Sequence, residues 1–224
     1  MPRVRVVGYN VHGLRDDQRA LTEVVRDLEP DVLVVQEAPR RLRWRSRCAE
    51  LARRFGLVYA SGGGTALGNL ILVSLRVAVP EAWALRYPLV PGRHLRGAAF
   101  ARCVVDRVPV VVAGTHLGLH ADERLDQARL LDRALAGLDA PLILAGDFNE
   151  PPQAPARTLL AGRLADAAGG DGAPTFPAAG ARTRIDAILV GPGVEVVGYR
   201  VPSSPATALA SDHLPVVADL VLPG

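Results

Sequence analysis

Apolar residues fall in short runs along the chain, and most of these runs stop abruptly at a polar side chain. Residues 3–8 alternate Arg with Val before turning apolar, which predicts a strand that delivers Tyr9, Asn10, Val11, His12 and Gly13 into a loop. Asp16 and Asp17 stand where a helix cap belongs, and Leu21, Val24, Val25 and Leu28 recur at helical spacing until Pro30. Residues 31–35 predict a second buried strand, which ends in Gln36-Glu37. A helix over 40–55 turns Trp44, Cys48, Leu51 and Phe55 to one face and seven arginines largely to the others. Gly62, Gly63 and Gly64 predict a flexible loop, and Gly68-Asn69 precedes a strand over 70–75. An irregular connection carrying Arg93, His94 and Arg96 leads to a strand over 98–105.

The second half repeats the style without repeating the sequence. A strand over 110–113 ends in Gly114-Thr115-His116-Leu117, and a helix over 122–137 places Leu125, Ala128, Leu131 and Leu135 inward, with Arg124 and Gln127 on a polar edge. After Pro141, four apolar residues make a short buried strand; Gly146 lets the backbone turn, and Asp147 and Asn149 project from the strand's carboxyl end. In α/β sheets that end is where ligands sit. A short helix carries Leu159 and Leu160, residues 169–183 read as a loop rich in Gly, Ala and Pro, and 184–190 is a strand with Asp186 embedded in it. The last polar strand end, Ser211-Asp212-His213, precedes a closing strand over 217–222. Two stacked sheets with helices outside would suit this alternation.

At 224 residues the chain can bury one sizeable core and is short for two, so a single domain over 1–224 is expected. All 26 basic residues are Arg, which with the Ala, Val and Leu richness looks like coding bias and weakens any reading of their number. The arginine face of the helix over 40–55 is therefore read as solvated, with nucleic-acid contact as the alternative. A net charge of +3 fits a phosphate-bearing substrate without demanding nucleic acid. Cys48 and Cys103 fit no metal spacing and are expected in the core. The first residues open as a strand without an apolar signal region, and no run reaches membrane-spanning length, so a soluble cytoplasmic protein is expected.

The polar strand ends are Asn10, Glu37, His116, Asp147, Asn149, Asp186, Asp212 and His213. A glutamate directly after a buried Leu-Val-Val run is costly to bury unless something pairs with it, the alternative being a carboxylate at the solvent edge of the sheet. Carboxylates and amide oxygens without thiolates favour Mg²⁺ or Mn²⁺ over zinc. A hard cation beside two histidines and an Asp/Asn pair suits phosphoryl chemistry, with the metal polarising a phosphate oxygen. Asn69 reads as a turn residue or a polar lip on such a site. Arg96 reads as a ligand for a substrate phosphate or as half of a surface salt bridge.

At these residues the sequence resembles the endonuclease/exonuclease/phosphatase superfamily. Tyr-Asn-Val-His-Gly at 9–13, Gln-Glu at 36–37, Gly-Asn at 68–69, Thr-His-Leu at 115–117, Gly-Asp-Phe-Asn at 146–149, Arg-Ile-Asp at 184–186 and Ser-Asp-His at 211–213 follow that family's order over almost the whole chain. The resemblance implies a four-layer α/β sandwich of DNase I-like type, two packed and mainly antiparallel β-sheets flanked by helices. It implies that Glu37 is the principal metal ligand, with Asn10 and Asp212 completing the metal neighbourhood. Asp147 would activate or orient the attacking water, and Asn149 would hold that water or a phosphate oxygen. His213 would face the phosphate, oriented by Asp186, and His116 would donate to a non-bridging oxygen. Thr-His-Leu is similar to the branch holding DNase I-like nucleases, sphingomyelinases, inositol phosphatases and small bacterial phosphodiesterases. The short connections and scarce aromatics favour a small-molecule, nucleotide or lipid-headgroup phosphodiester over a DNA or RNA nuclease substrate. A fold retained only as a binding module would show gaps in the ligand set, and none of the expected positions is missing.

Overall fold

The computed structural model describes residues 1–170 and 172–224. Its strands are β1 (Arg3–Asn10), β2 (Val32–Gln36), β3 (Val58–Gly62), β4 (Leu70–Val73), β5 (Val77–Arg86), β6 (Gly97–Val105), β7 (Val108–His116), β8 (Leu142–Asp147), β9 (Ala165–Asp166), β10 (Asp186–Val190), β11 (Glu195–Arg200) and β12 (Val216–Val221). Its helices are α1 (Gln18–Leu28), α2 (Trp44–Phe55), α3 (Ala121–Ala136), α4 (Pro155–Ala161) and α5 (Pro205–Ala210). The strands form two six-stranded sheets, in the orders β11-β12-β1-β2-β4-β3 and β5-β6-β7-β8-β10-β9. Each sheet has one parallel pair, β1 with β2 and β7 with β8, and each of those pairs is linked through a helix, α1 or α3. All other pairings are antiparallel. The expected four-layer sandwich is what the chain forms.

The apolar runs lack a visible alternation because both faces of each sheet are covered. On β1, Val4 and Val6 point between the sheets, whereas Val7 and Tyr9 pack under α1. On β2, Val32 and Val34 face the other sheet while Leu33 and Val35 face the helices. On β8, Ile143 and Ala145 face inward, and Leu142 and Leu144 lie under α3 and α4. The sheets approach closely at Gly114, where a Cβ would lie 2.5 Å from a methyl of Val34. Cys48 and Cys103 are buried and unpaired by disulfides, as expected of core residues.

Asp17 caps α1, its carboxylate accepting from the amides of Arg19 and Ala20. The elements that sequence periodicity did not announce are mostly peripheral. β3, β5, β9 and β11 carry exposed or half-buried positions, and β3, β5, β9 and β11 are the four sheet edges, where one face or one side meets water. The loop expected from Tyr9 begins only after Asn10, because Tyr9 is fully buried in the strand. The helix expected from residue 40 starts at Trp44, after Arg43 in a left-handed conformation (φ 58°). The glycines at 62–64 do not form a free loop: Gly62 ends β3, and a Cβ on Gly63 or Gly64 would meet the Trp44 ring within 2.7 Å. Gln127 is not on a polar edge but buried, donating to Glu123 and accepting from the Gly118 amide, while Leu125 is only half-buried.

Candidate active site

The topology brings six segments to one end of the sandwich. The parallel pairs β1/β2 and β7/β8 present their carboxyl ends there, with Asn10 opposite Gln36 and His116 opposite Asp147 in register. Their antiparallel neighbours β10 and β12 begin at the same end, so Asp186 pairs in register with Asp147, and Ser211, Asp212 and His213 lie just before β12. A cavity of about 680 Å³ opens over these ends, lined among others by Asn10, Glu37, Arg96, His116, Asp147, Asn149, Asp212 and His213.

Asp147 is the hub. Its Oδ2 accepts from Asn10 Nδ2 at 3.0 Å and lies 3.2 Å from His116 Nε2 and 3.8 Å from His213 Nε2; its Oδ1 accepts the Asn149 amide at 2.9 Å. His213 Nδ1 meets Asp186 Oδ2 at 2.9 Å, and its ring stands against Phe176, centroids 4.8 Å apart. The segment is pinned by Ser211, whose hydroxyl donates to the Asn10 carbonyl at 2.6 Å and accepts the His213 amide at 3.3 Å. Arg96 donates to His116 Nδ1 at 3.1 Å. Because a guanidinium only donates, Nδ1 must be the acceptor and the proton sits on Nε2, directed at Asp147.

Burial and charge set the protonation states. Burial raises Asp147 above the usual carboxylate range, and the neighbouring charge of Asp186 raises it further, against the pull of His213 and the hydrogen bonds of Asn10 and Asn149. Burial opposes the charged form of His213, but Asp186, followed by Asp147 and Asp212, outweighs it and lifts the imidazole to about 9. His116 is held well below 6.5 by burial, then by the Arg96 charge, and is neutral. Arg96 itself is 9% exposed, and burial pulls it below the ordinary guanidinium range.

Glu37 lies on the cavity wall in a left-handed backbone conformation (φ 58°), a costly state for a glutamate and one found disproportionately at functional sites. Half-buried, it makes no hydrogen bond or ion pair among the described residues. An oxygen donor without a protein partner, beside Asn10 and Asp212 on the same wall, fits a hard cation. Asp212 is half-exposed, its Oδ2 3.7 Å from His12 Nε2. The most compact group of potential ligand atoms is a different one, Asp147, Asp186 and His213, whose atoms lie within 4.8 Å of one another. There the Asp186 oxygen is already engaged by His213, while its Oδ1 is buried without a partner.

Asn69 is not part of the cavity wall. It is buried, and its amide donates to the carbonyls of Ala66 and Gly97, tying the turn before β4 to the start of β6. Asn149 lines the cavity, and its Nδ2 donates to the Leu117 carbonyl at 2.9 Å. Sequence reasoning passed over several wall residues. His12 stood in plain view inside Tyr-Asn-Val-His-Gly; it is paired to Asp16 at 2.8 Å. Phe176 from the 169–183 loop, His94, and Arg15, Arg40, Arg41 and Arg47 also line the cavity, and no local pattern distinguishes these from surface residues.

Residues 7–213 match the model of the endonuclease/exonuclease/phosphatase family. Comparison with curated proteins gives no match. Among solved structures, the chain is similar to an endonuclease/exonuclease/phosphatase from Bacteroides vulgatus (TM-score 0.82, 20% identity, 99% of this chain and 100% of that one). It is similar to a mannosyl-6-phosphatase from Bacteroides thetaiotaomicron (0.81, 18%, 98% and 100%). It is also similar to TDP2 from D. rerio in complex with a single-strand DNA product (0.76, 18%, 98% and 99%). These likenesses establish a shared fold. Among the described residues, no helix is long and apolar enough to cross a membrane.

Proposed function

The chain belongs to the endonuclease/exonuclease/phosphatase family, and from that premise we propose that it is a divalent-metal-dependent phosphodiesterase acting by attack of an activated water. The observation that carries this reading is the convergence on Asp147 of Asn10, His116 and His213 from both sheets, beside the unpartnered Glu37 carboxylate. Mg²⁺ or Mn²⁺, held by Glu37 with Asn10 and Asp212, would polarise a phosphate oxygen and steady the leaving oxyanion. Asp147 would orient water and accept its proton; its raised affinity for a proton, from burial and Asp186, suits a general base near neutral pH. Asn149 fixes that carboxylate through its backbone amide. His116, neutral with its proton on Nε2, would donate to a non-bridging oxygen, and Arg96 keeps it in that tautomer. His213, held by Asp186 as an imidazolium, would face the phosphate and stabilise developing charge.

The substrate favoured is a small-molecule, nucleotide or lipid-headgroup diester. A DNA or RNA nuclease is the second reading; the likeness to a protein solved with single-strand DNA product speaks for it. Against it, Phe176 is the one Phe, Tyr or Trp among the described cavity-lining residues, where runs of bases would need stacking platforms. The test is hydrolysis of a chromogenic phosphodiester and the matching monoester with Mg²⁺ or Mn²⁺ and with chelator, using Asp147→Asn to exclude contaminants. Metal-dependent diester cleavage that vanishes in the variant is the expected result. Cleavage of the monoester alone would make the protein a phosphatase.

A further inference from the structure

Arginine is the chain's only source of fixed positive side-chain charge, and twelve of the 26 pair with a carboxylate among the described residues. Arg5 pairs with Asp219, Arg76 with Asp31 and Asp106, Arg102 with Glu81, Arg124 with Glu150, and Arg157 and Arg184 share Asp166. The five arginines that line the cavity all fall outside that set. Arg15, Arg40, Arg41, Arg47 and Arg96 have no carboxylate partner among the described residues. Arg96 is taken up by His116 beside the chemistry. The other four reach the same cavity from three segments: Arg15 follows the turn after β1, Arg40 and Arg41 lie in the loop after β2, and Arg47 is in the first turn of α2. Arg40 is half-buried and held by the carbonyls of Leu67 and Leu95, each at 3.2 Å, whereas Arg15, Arg41 and Arg47 are exposed at the mouth.

Among the described residues, the acids on the same wall are Glu37, Asp147 and Asp212, and a bound divalent cation would offset most of their charge. A phosphodiester carries one negative charge, so a mono-anionic substrate would leave several guanidinium groups at the cavity mouth without a counter-charge from protein or ligand. Guanidinium groups lining one cavity match a phosphate in both charge and donor geometry. The cavity volume of about 680 Å³ is that of a small-molecule site. We propose that the substrate is a small molecule carrying, besides the diester that is cleaved, a second phosphate group bound by Arg15, Arg40, Arg41 and Arg47. The inference rests on the phosphodiesterase reading above and narrows its substrate class.

Binding tests it without relying on turnover. Thymidine 3′,5′-bisphosphate and thymidine 5′-monophosphate are titrated calorimetrically into the Mg²⁺-supplied protein at low salt, for wild type, Arg41→Gln/Arg47→Gln and, independently, Arg15→Gln. The bisphosphate should bind wild type on the order of 10-fold more tightly. That advantage should fall to roughly 3-fold or less in the double variant and shrink as salt rises, since the rim arginines are exposed. Equal affinities in wild type would overturn the proposal. So would an advantage that survives in both variants when their unfolding temperatures match wild type. Affinity that keeps climbing with length across single-stranded oligothymidylates would overturn the small-molecule occupant in favour of nucleic acid. Hydrolysis is read separately, with thymidine 5′-(p-nitrophenyl phosphate) carrying or lacking a 3′-phosphate. If neither is cleaved while the bisphosphate preference holds, the phosphodiesterase reading fails and the second phosphate site stands.

Discussion

Removing the charge of Asp186 should move the titration of His213 across the whole neutral range. The two groups are 2% and 5% exposed and 2.9 Å apart, so water screens their interaction little. Burial works against the imidazolium, and it is mainly Asp186 that lifts the group from 6.5 to about 9. At 1.36 kcal/mol per pH unit, that gap corresponds to about 3 kcal/mol of preferential stabilisation of the charged ring. Because the folded value lies above the unfolded one, this stability is fully present below about 6.5, declines as pH rises and is gone above about 9. In Asp186→Asn the carboxylate is lost while burial remains, so His213 should titrate at or below 6.5. The substitution should also destabilise the metal-free protein by about 3 kcal/mol more at pH 6 than at pH 10. Imidazole chemical shifts followed by NMR from pH 5 to 10 on metal-free protein, together with denaturant unfolding at both ends, measure the two effects. A His213 that titrates near 6.5 in wild type, or identically in the variant, would refute the reasoning.

Three further outcomes are expected. Glu37→Gln should weaken Mn²⁺ binding by at least about 10-fold in a calorimetric or paramagnetic titration, while Asp186→Asn should not; the reverse pattern would place the cation at the Asp147, Asp186 and His213 group instead. Asp147→Asn and His213→Ala should each lower kcat by roughly 10²–10⁴ with the fold retained by circular dichroism, and wild-type turnover in His213→Ala would remove it from the chemistry. Gly114→Ala sets a Cβ 2.5 Å from Val34 between the sheets and should cost about 1–3 kcal/mol in denaturant unfolding; an unchanged midpoint would mean that the sheets yield freely there.

The catalytic candidates were legible because each is a polar residue at or beside one end of a buried strand, a conflict visible in a linear string. Asn10, Glu37, His116, Asp147 and His213 all line the cavity for that reason, and Asp186 stands behind His213. Asn69 misled because it ends no strand; it sits in a turn and its side-chain nitrogen donates to nearby backbone carbonyls. The edge strands β3, β5 and β11 were missed because a strand with one wet side carries neither a continuous apolar run nor a clean alternation. The arginine wall was invisible for a compositional reason. In a chain that uses Arg for every basic position, nothing local separates Arg41 or Arg47, which line a cavity, from Arg53, which pairs with Glu50 on the helix surface.

Two of the hydrogen bonds that define the site cross from one sheet to the other. Asn10 ends β1 in the first sheet and donates to Asp147, which ends β8 in the second. His213 precedes β12 in the first sheet and is held by Asp186, which opens β10 in the second. Neither bond can form within one sheet, so the geometry of the chemistry is set by how the Val- and Ala-rich layer between the sheets packs, with Ile143, Ala145 and Ile188 against Val6, Val34 and Val216. A close-packed layer transmits small displacements rather than absorbing them. Small side chains such as Ala99, Ala101, Ala145 and Ala218, with Gly114, keep the layer thin enough for contacts of about 3 Å at its end. The inter-sheet core therefore acts on the site at a distance, and its residues set the spacing of the site as well as the stability of the fold.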